Sequence, residues 1–396
     1  MEKIKVINVI TRLIVGGAQE TVMETCDCLD SDRYDPLIIS GEQTGPEGEI
    51  ISEVRKRHIP LTIMPELVRQ VSPVKDLLAF IKLVMLFKAK KPQIVHTHSS
   101  KAGILGRWAA WVARVPVIVH TVHGWGHTVY NNPVKRGVFT FLEKKSADIS
   151  DRLIVVSYLN AEKGMADGIG NEQKYTTIHS SIDLDDFTDP VCDVPALKKQ
   201  LGLSPESPVI GTVARFSPQK NPADFVRVAA EVKKQVPQAQ FLYIGDGPLR
   251  SETEELIEEL DLTSDIFLPG LRRDVPQLLK CMDVFILSSL WEGLPRVIPQ
   301  AMAAGLPVVA NGVDGVCEII KDQVNGFLIP PEDVSLMAKR IVQILQDSTL
   351  REKMIGEGSR TAEKEFSLKG MVKIIEDLYE ELILKKQAVK IKKYHC

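Results

Sequence analysis

The sequence predicts an α/β protein built from two Rossmann-like domains that face each other across a cleft. Three observations carry this expectation. At 396 residues the chain is too long for one ordinary core and suggests two domains of roughly 150 residues each plus excursions. Short apolar, β-branched runs alternate with helical patterns, which signals mostly parallel sheets with helices on both faces. The alternation pauses once, between Asp183 and Pro208, and then resumes.

Taken in order, strands are expected at Ile4 to Ile10, Leu37 to Ser40, Leu61 to Met64, Ile94 to His98, Val117 to His123, Leu153 to Ser157 and Tyr175 to His179. Helical patterns lie between several of them, at Ala18 to Leu29, Pro73 to Lys90, Ala102 to Ala113, Val134 to Ser146 and Leu159 to Ala166. The pause holds Asp183, Asp185, Asp186, Asp189, Pro190, Asp193, Pro195, Pro205 and Pro208 with one short helix candidate, which is linker chemistry. Strands resume at Val209 to Ala214, Phe241 to Gly245, Ile266 to Leu268, Val284 to Leu287, Val308 to Ala310 and Phe327 to Ile329, with helices between them. The expected domains are therefore residues 1–185, a linker over 186–207, residues 208–367, and a closing helix within 368–396 that packs back toward the first domain.

Hydrophobic residues at 44% and charged residues at 26%, without low-complexity tracts, argue against disorder as a main theme. Six scattered cysteines (Cys26, Cys28, Cys192, Cys281, Cys317, Cys396) form no paired CxxC units and point to a reducing, cytoplasmic compartment. Met1 to Ile10 reads as a strand and lacks the cleavage pattern of a signal peptide. The apolar run near Leu77 to Phe87 contains Lys82 and is far short of the roughly 20 residues of a membrane span. No nucleic-acid partner is expected.

The net charge of −3 hides an asymmetry: residues 1–180 carry 23 Lys and Arg against 19 Asp and Glu, and residues 181–396 carry 26 against 33. Between Lys75 and Arg114 stand Lys75, Lys82, Lys88, Lys90, Lys91, Lys101, Arg107 and Arg114 with Asp76 as the one acidic residue. Such a strip is either a solvated helix face or, with Leu77, Leu78, Phe80, Ile81, Val84, Met85 and Phe87 on the same helix, a contact for anionic lipid or a phosphate-bearing acceptor.

The chemistry concentrates after strands. Ser288 to Met302 follows an apolar strand, and a helix is expected from Pro295 to Ala304 with Gly305 past its end. Strand, polar loop and helix at the carboxyl edge of a parallel sheet is where open α/β sheets hold ligands. Glu292 and Gln300, eight positions apart, either line one side of a ligand or are a solvent carboxylate and an ordinary helix residue. Gly16 and Gly17 follow the first strand and open a helix, either as a tight turn or as a close approach to an anion; the spacing does not support a dinucleotide fingerprint. His96, His98, His120 and His123 end two strands. His96 and His98 share a face, but no third metal ligand is identifiable, so no metal site is expected. His123, beside Gly124, is the better candidate to touch substrate. Arg215 and Lys220, between a strand and a helix amino terminus, form a natural diphosphate cradle unless they are plain loop cations. Gly245-Asp246-Gly247-Pro248 and Gly312-Val313-Asp314-Gly315 are further turns after strands.

Over nearly its whole length the chain resembles glycosyltransferase family 4, of the GT-B fold, and within it bacterial enzymes of capsule, exopolysaccharide or O-antigen assembly. The residues that carry the resemblance are Gly16-Gly17, His96 through Gly103, His123-Gly124, Arg215 with Lys220, Gly245 through Pro248, and Glu292-Gly293-Leu294-Pro295 through Gly305. The resemblance implies retaining transfer of a sugar from a nucleotide diphosphate sugar, with a UDP-sugar expected, to a saccharide or polyprenyl-linked acceptor, without an obligatory metal or other cofactor. It implies that Arg215 and Lys220 hold the diphosphate and Glu292 the sugar hydroxyls. The backbone of Gly293, Leu294, Pro295 and Arg296 would border sugar and phosphate, and His123 would sit near the reacting centre. Gly16 and Gly17 would approach the phosphates or acceptor from the first, acceptor-side domain, where His98 and Lys101 would also lie. It suggests a front-face route in which the leaving diphosphate takes the acceptor's proton.

One position departs from the family pattern: Gln300 stands where a second glutamate usually binds the donor ribose, and an amide donates as well as accepts and carries no charge. Two other readings are a nucleotide-sugar isomerase of the 2-epimerase kind and a catalytically silent nucleotide-sugar-binding subunit. The expected setting is the cytoplasm, with peripheral contact on the inner face of the plasma membrane.

Overall fold

The structure, a computed structural model, describes residues 2–43, 48–125 and 132–394. The chain divides into two compact units, residues 1–180 with 368–396, and residues 181–367. In the first unit the order is β1 (Ile4–Arg12), α1 (Gly17–Cys28), β2 (Tyr34–Gly41), α2 (Ile51–Lys56), β3 (Leu61–Ile63), α3 (Pro73–Lys90), β4 (Ile94–His98), α4 (Ser100–Val112), β5 (Val117–Val122), α5 (Pro133–Asp148), β6 (Arg152–Val155), α6 (Tyr158–Ala166) and β7 (Tyr175–Thr177). Among the described residues these make a seven-stranded sheet in the order β3-β2-β1-β4-β5-β6-β7, with every pairing parallel. The order reverses between β1 and β4, which opens a crevice at their carboxyl ends.

The second unit runs α7 (Leu184–Thr188), α8 (Val194–Leu201), β8 (Val209–Val213), α9 (Pro222–Lys233), β9 (Gln240–Ile244), α10 (Arg250–Glu259), β10 (Ile266–Gly270), α11 (Val275–Leu279), β11 (Val284–Leu287), α12 (Val297–Ala303), β12 (Val308–Asn311), α13 (Val316–Ile319), β13 (Phe327–Ile329), α14 (Val334–Gln346) and α15 (Ser348–Glu365). Its six-stranded parallel sheet has the order β10-β9-β8-β11-β12-β13, reversing between β8 and β11. The α/β class and both Rossmann-like sheets are as the alternation predicts.

Strands of both units are apolar because both faces are covered. In the second unit Ile210, Phe241, Tyr243, Val284, Ile286 and Val309 pack with Phe225, Val228, Ala229, Ile341 and Val342 of α9 and α14. In the first, the final helix α16 (Leu368–Tyr394) covers one sheet face: Met371, Val372, Ile375, Leu378, Tyr379 and Leu382 pack on Val6, Ile94, Val117, Val119 and Ile154. Each such aliphatic side chain contributes about 1.5–3 kcal/mol when fully buried.

Two sequence expectations need correction. The stretch 186–207 holds two helices rather than one short one, most of α7 and all of α8, and the chain enters the second unit at Ser181 rather than after residue 185. Its aspartates and prolines start helices: Asp183 and Asp193 accept from the backbone N–H of Asp185 and Ala196, Pro195 lies in the first turn of α8, and Gly202 closes it in the left-handed conformation. Phe187 and Leu203 are buried. Helix α12 begins at Val297 rather than Pro295, which leaves Pro295 and Arg296 in the loop with Glu292.

Candidate active site

In the second unit the loops after β8 and β11 meet at the switch point. The loop after β8, residues 214–221, carries Arg215 and Lys220; the loop after β11, residues 288–296, carries Glu292. They are cross-braced along the backbone: Leu290 N–H donates to Gln219 O at 2.8 Å, and Ser288 Oγ donates to Lys220 O at 3.0 Å and Asn221 O at 3.1 Å. Asn221 adopts φ 46°, a left-handed conformation asparagine tolerates, and Pro222 then starts α9. The brace aims two opposite charges at one point. Lys220 Nζ is ion-paired with Glu292 Oε1, and Gln219 Nε2 reaches Trp291 O at 2.9 Å and Glu292 Oε2 at 3.4 Å.

Arg215 is half-buried, and its backbone carbonyl accepts from Tyr243 Oη at 3.2 Å. The turn Gly245-Asp246-Gly247-Pro248 lies against it: Phe216 N–H donates to Asp246 O at 3.2 Å, and a Cβ on Gly247 would overlap the Phe216 carbonyl. The glycine turn therefore supports the Arg215 loop from behind.

Glu292 is 8% exposed, Arg296 5% and Gln300 9%, and Gly293, Leu294 and Pro295 are also buried. Arg296 Nε donates to Ser181 O at 3.0 Å, so this guanidinium ties the loop to the point where the chain enters the unit. Gln300 lies in the middle of α12, its backbone N–H bonded to Arg296 O at 3.1 Å.

In the first unit Gly16 and Gly17 stand where α1 begins, beyond the carboxyl end of the central strand β1; Gly16 O accepts from the N–H groups of Gln19 and Glu20. Beside them, Ser99 adopts φ 59° and its Oγ lies 2.8 Å from Thr11 Oγ1, pinning the ends of β4 and β1 together.

The strand-end histidines are each hydrogen-bonded, His96, His98 and His120 buried and His123 half-buried. His96 is a satisfied core residue, with Nδ1 2.6 Å from Tyr379 Oη and Nε2 2.7 Å from Thr121 Oγ1. His120 Nδ1 is 2.9 Å from Thr97 Oγ1. His98 Nε2 lies 3.1 Å from Asn8 Oδ1, and His98 Nδ1 lies 3.2 Å from His123 Nε2. Burial, with His123 as the lesser cause, pushes His96 down to about 3; burial, with the neighbouring imidazoles and for His120 also Arg107 as lesser causes, holds His98 and His120 well below the usual histidine range. His98 is therefore neutral. Asn8 Nδ2 donates to Cys26 Sγ at 3.1 Å, which leaves Asn8 Oδ1 to accept the His98 Nε2–H. His98 Nδ1 is then an acceptor, and His123 carries its proton on Nε2.

Lys101 is committed elsewhere: it is ion-paired with Asp76 and donates to Gln70 O. The basic strip is also thinner than the sequence suggests. Arg107 is fully buried against Glu143 at 2.6 Å, and Lys82 pairs with Glu66 at 2.6 Å.

Sequence reasoning missed Asn8, Ser99, Gln219 and the role of Asp314. The sequence does carry a signal for Asn8: a lone amide inside an apolar central strand has to bond something. No comparable signal marks Gln219 or Asp314, whose partners lie 73 and 22 residues away.

Two family models and several known proteins match the chain. Residues 15–186 match the model of Glycosyltransferase Family 4, and residues 193–361 that of Glycosyl transferases group 1. The chain is 31% identical over 388 residues, 97% of its own length and 98% of the relative's, to the UDP-Gal:alpha-D-GlcNAc-diphosphoundecaprenol alpha-1,3-galactosyltransferase of Escherichia coli. It is 25% identical to the capsular polysaccharide biosynthesis glycosyltransferase CapM of Staphylococcus aureus, covering 80% of this chain and 83% of that one. In fold it resembles Alr3699/HepE of Anabaena, solved in complex with UDP and glucose, with a TM-score of 0.83 at 22% identity over 96% of this chain and 100% of that one.

Proposed function

We propose that this chain, which belongs to glycosyltransferase family 4 and is a glycosyltransferase of the GT-B fold, moves a sugar from a UDP-sugar to a lipid-linked saccharide with retention of anomeric configuration, in the assembly of a cell-surface polysaccharide. The observation that carries the reading is the ion pair of Lys220 and Glu292 at the β8/β11 switch point. One charge suits the diphosphate and the other the sugar hydroxyls, and the two loops brace them side by side. The Escherichia coli relative, named for a UDP-galactose donor and a diphosphoundecaprenol acceptor, supports the choice of substrate class.

In this reading Lys220 and Arg215 bind the diphosphate. Negative charge grows on it as the bond from the sugar's anomeric carbon to the phosphate oxygen breaks, so the cations act most strongly in the transition state. Glu292 accepts from the sugar hydroxyls and fixes the ring, and the backbone of Gly293 to Arg296 borders it. The acceptor hydroxyl forms its bond on the face the diphosphate leaves, and its proton passes to the departing phosphate oxygen. His123 serves the reacting centre with Nδ1 as its acceptor nitrogen, and Gly16, Gly17 and His98 belong to the acceptor side. Gln300 meets the ribose.

The reading extends to the membrane. Helix α3 exposes Val74, Leu77, Leu78, Ile81 and Met85 in one stripe beside the exposed Lys75, Lys82 and Lys88, a pattern that suits an anionic interface. Among the described residues no helix is long and apolar enough to cross a membrane. A lipid-linked acceptor would be met at that interface.

The test is product analysis by NMR with a panel of UDP-sugars, UDP-galactose first, with and without GlcNAc-diphosphoundecaprenol. The proposal expects UDP release that depends on acceptor and a new linkage with the donor's anomeric configuration. Sugar conversion without acceptor would mean an isomerase, and UDP binding without turnover of any donor would mean a silent subunit.

A further inference from the structure

The turn after β12 is built against the Glu292 loop at three successive points. Asn311 Nδ2 donates to Ser289 O at 3.2 Å. Asp314 Oδ2 accepts the backbone N–H of Glu292 at 2.8 Å. Gly315 lies so close to Gly293 that a Cβ there would overlap the Gly293 carbonyl oxygen. Asp314 makes its bond from φ 40°, in the left-handed region that glycine enters freely and other residues enter at a penalty. A glycine at 314 would relieve the backbone but could not reach the Glu292 N–H. The chain therefore holds a left-handed aspartate, rather than a glycine, at the place where a carboxylate takes the backbone N–H of Glu292.

From this we infer that Asp314 is a positioning residue for sugar transfer: it fixes the Glu292 backbone, and through it the carboxylate, at the height where the sugar hydroxyls are met. The inference rests on the role proposed above for Glu292. Lys220 alone does not fix that height, because its side chain is long and flexible and pairs with the carboxylate in many geometries. The backbone bond from Asp314 and the tight approach of Gly315 are short and rigid. Diphosphate binding, carried by Arg215 and Lys220, does not need them.

The experiment compares wild type with Asp314→Gly, Asp314→Asn, Gly315→Ala and Glu292→Ala in thermal unfolding, UDP affinity by calorimetry, and kcat and KM for the donor that wild type consumes. Asp314→Gly is expected to keep its melting temperature and UDP affinity within twofold while kcat/KM falls at least tenfold. Asp314→Asn, which retains an acceptor oxygen and tolerates the left-handed backbone, should keep at least a third of wild-type kcat/KM. Gly315→Ala, which displaces Gly293 without altering Asp314, should reproduce the loss. Wild-type transfer by Asp314→Gly, or a loss in Asp314→Asn as deep as in Asp314→Gly, overturns the inference. If Glu292→Ala itself transfers at the wild-type rate, the reading of Glu292 has failed instead, and the two failures are thereby distinguished.

Discussion

Lys220 and Glu292 occupy each other: Nζ of one is ion-paired with Oε1 of the other, 72 residues apart in the chain, across two loops joined by the Leu290 N–H to Gln219 O bond and by Ser288 Oγ. The lysine side chain is 18% exposed and the glutamate 6%, so the carboxylate is the buried partner. A donor that takes the lysine with its phosphates and the glutamate with its sugar exchanges this one pair for two contacts. The pair also keeps a buried carboxylate from standing alone.

That arrangement predicts unequal effects on stability. Lys220→Ala strands Glu292 and should lower unfolding free energy by about 1–3 kcal/mol, whereas Lys220→Met with Glu292→Gln should lose less than the two single changes together. Urea denaturation of the four chains measures the coupling. Additive losses would show that the pair contributes nothing beyond its members.

Gln300 gives a second prediction. A carboxylate at this position accepts from two ribose hydroxyls where the amide presents one oxygen and one donor. Gln300→Glu should therefore tighten UDP binding by about 3- to 10-fold, which is one hydrogen bond's worth, and leave pyrophosphate binding unchanged. Calorimetry with both ligands checks it; weaker UDP binding would place the ribose elsewhere.

The chain Cys26, Asn8, His98, His123 sets a tautomer, and its removal should be felt at His123. His98→Leu should cut kcat by roughly 10-fold or more while the KM for donor stays within twofold. His98→Asn, whose amide oxygen falls near the position of Nδ1, should recover part of the loss. Nitrogen chemical shifts of labelled histidine report the tautomer directly, and a proton on His123 Nδ1 in the native chain would contradict the assignment.

The same histidines predict acid sensitivity. Their folded-state pKa values lie below the unfolded value, with His96 at about 3 and His98 and His120 held well below 6.5. Between the folded and unfolded values the unfolded chain binds more protons, so stability is full above about pH 6.5 and falls as pH drops below it, by about 1.4 kcal/mol per pH unit for each histidine. Denaturation midpoints from pH 7.5 to 5 test this. Replacing His96 by Gln should flatten the slope, and a stability independent of pH over that range would refute the burial argument.

Much of this molecule was legible in its residues because its signals are local. Apolar runs such as Val284 to Leu287 mark strands covered on both faces, and the turns that follow mark the edge where ligands lie. The strand-end placement of the loops that carry Arg215, Lys220 and Glu292 was legible as well. What was not legible depends on pairing between distant segments. Lys101 reads as a surface cation until Asp76 is seen beside it, and Arg107 as part of a basic strip until α5 brings Glu143 onto it. The Asp and Pro residues of 183–208 carry the same local signal whether they cap helices or loosen a linker; the burial of Phe187 and Leu203 decides between them.

The rate of UDP release from a UDP-sugar that wild type consumes in the presence of its acceptor, measured for wild type, Lys220→Ala and Glu292→Ala at equal concentrations of folded protein, tests the roles of this pair most directly. Both variants should fall by about 100-fold or more, the lysine through lost stabilisation of the leaving diphosphate and the glutamate through lost hold on the sugar. Release at the wild-type rate by both would contradict those roles.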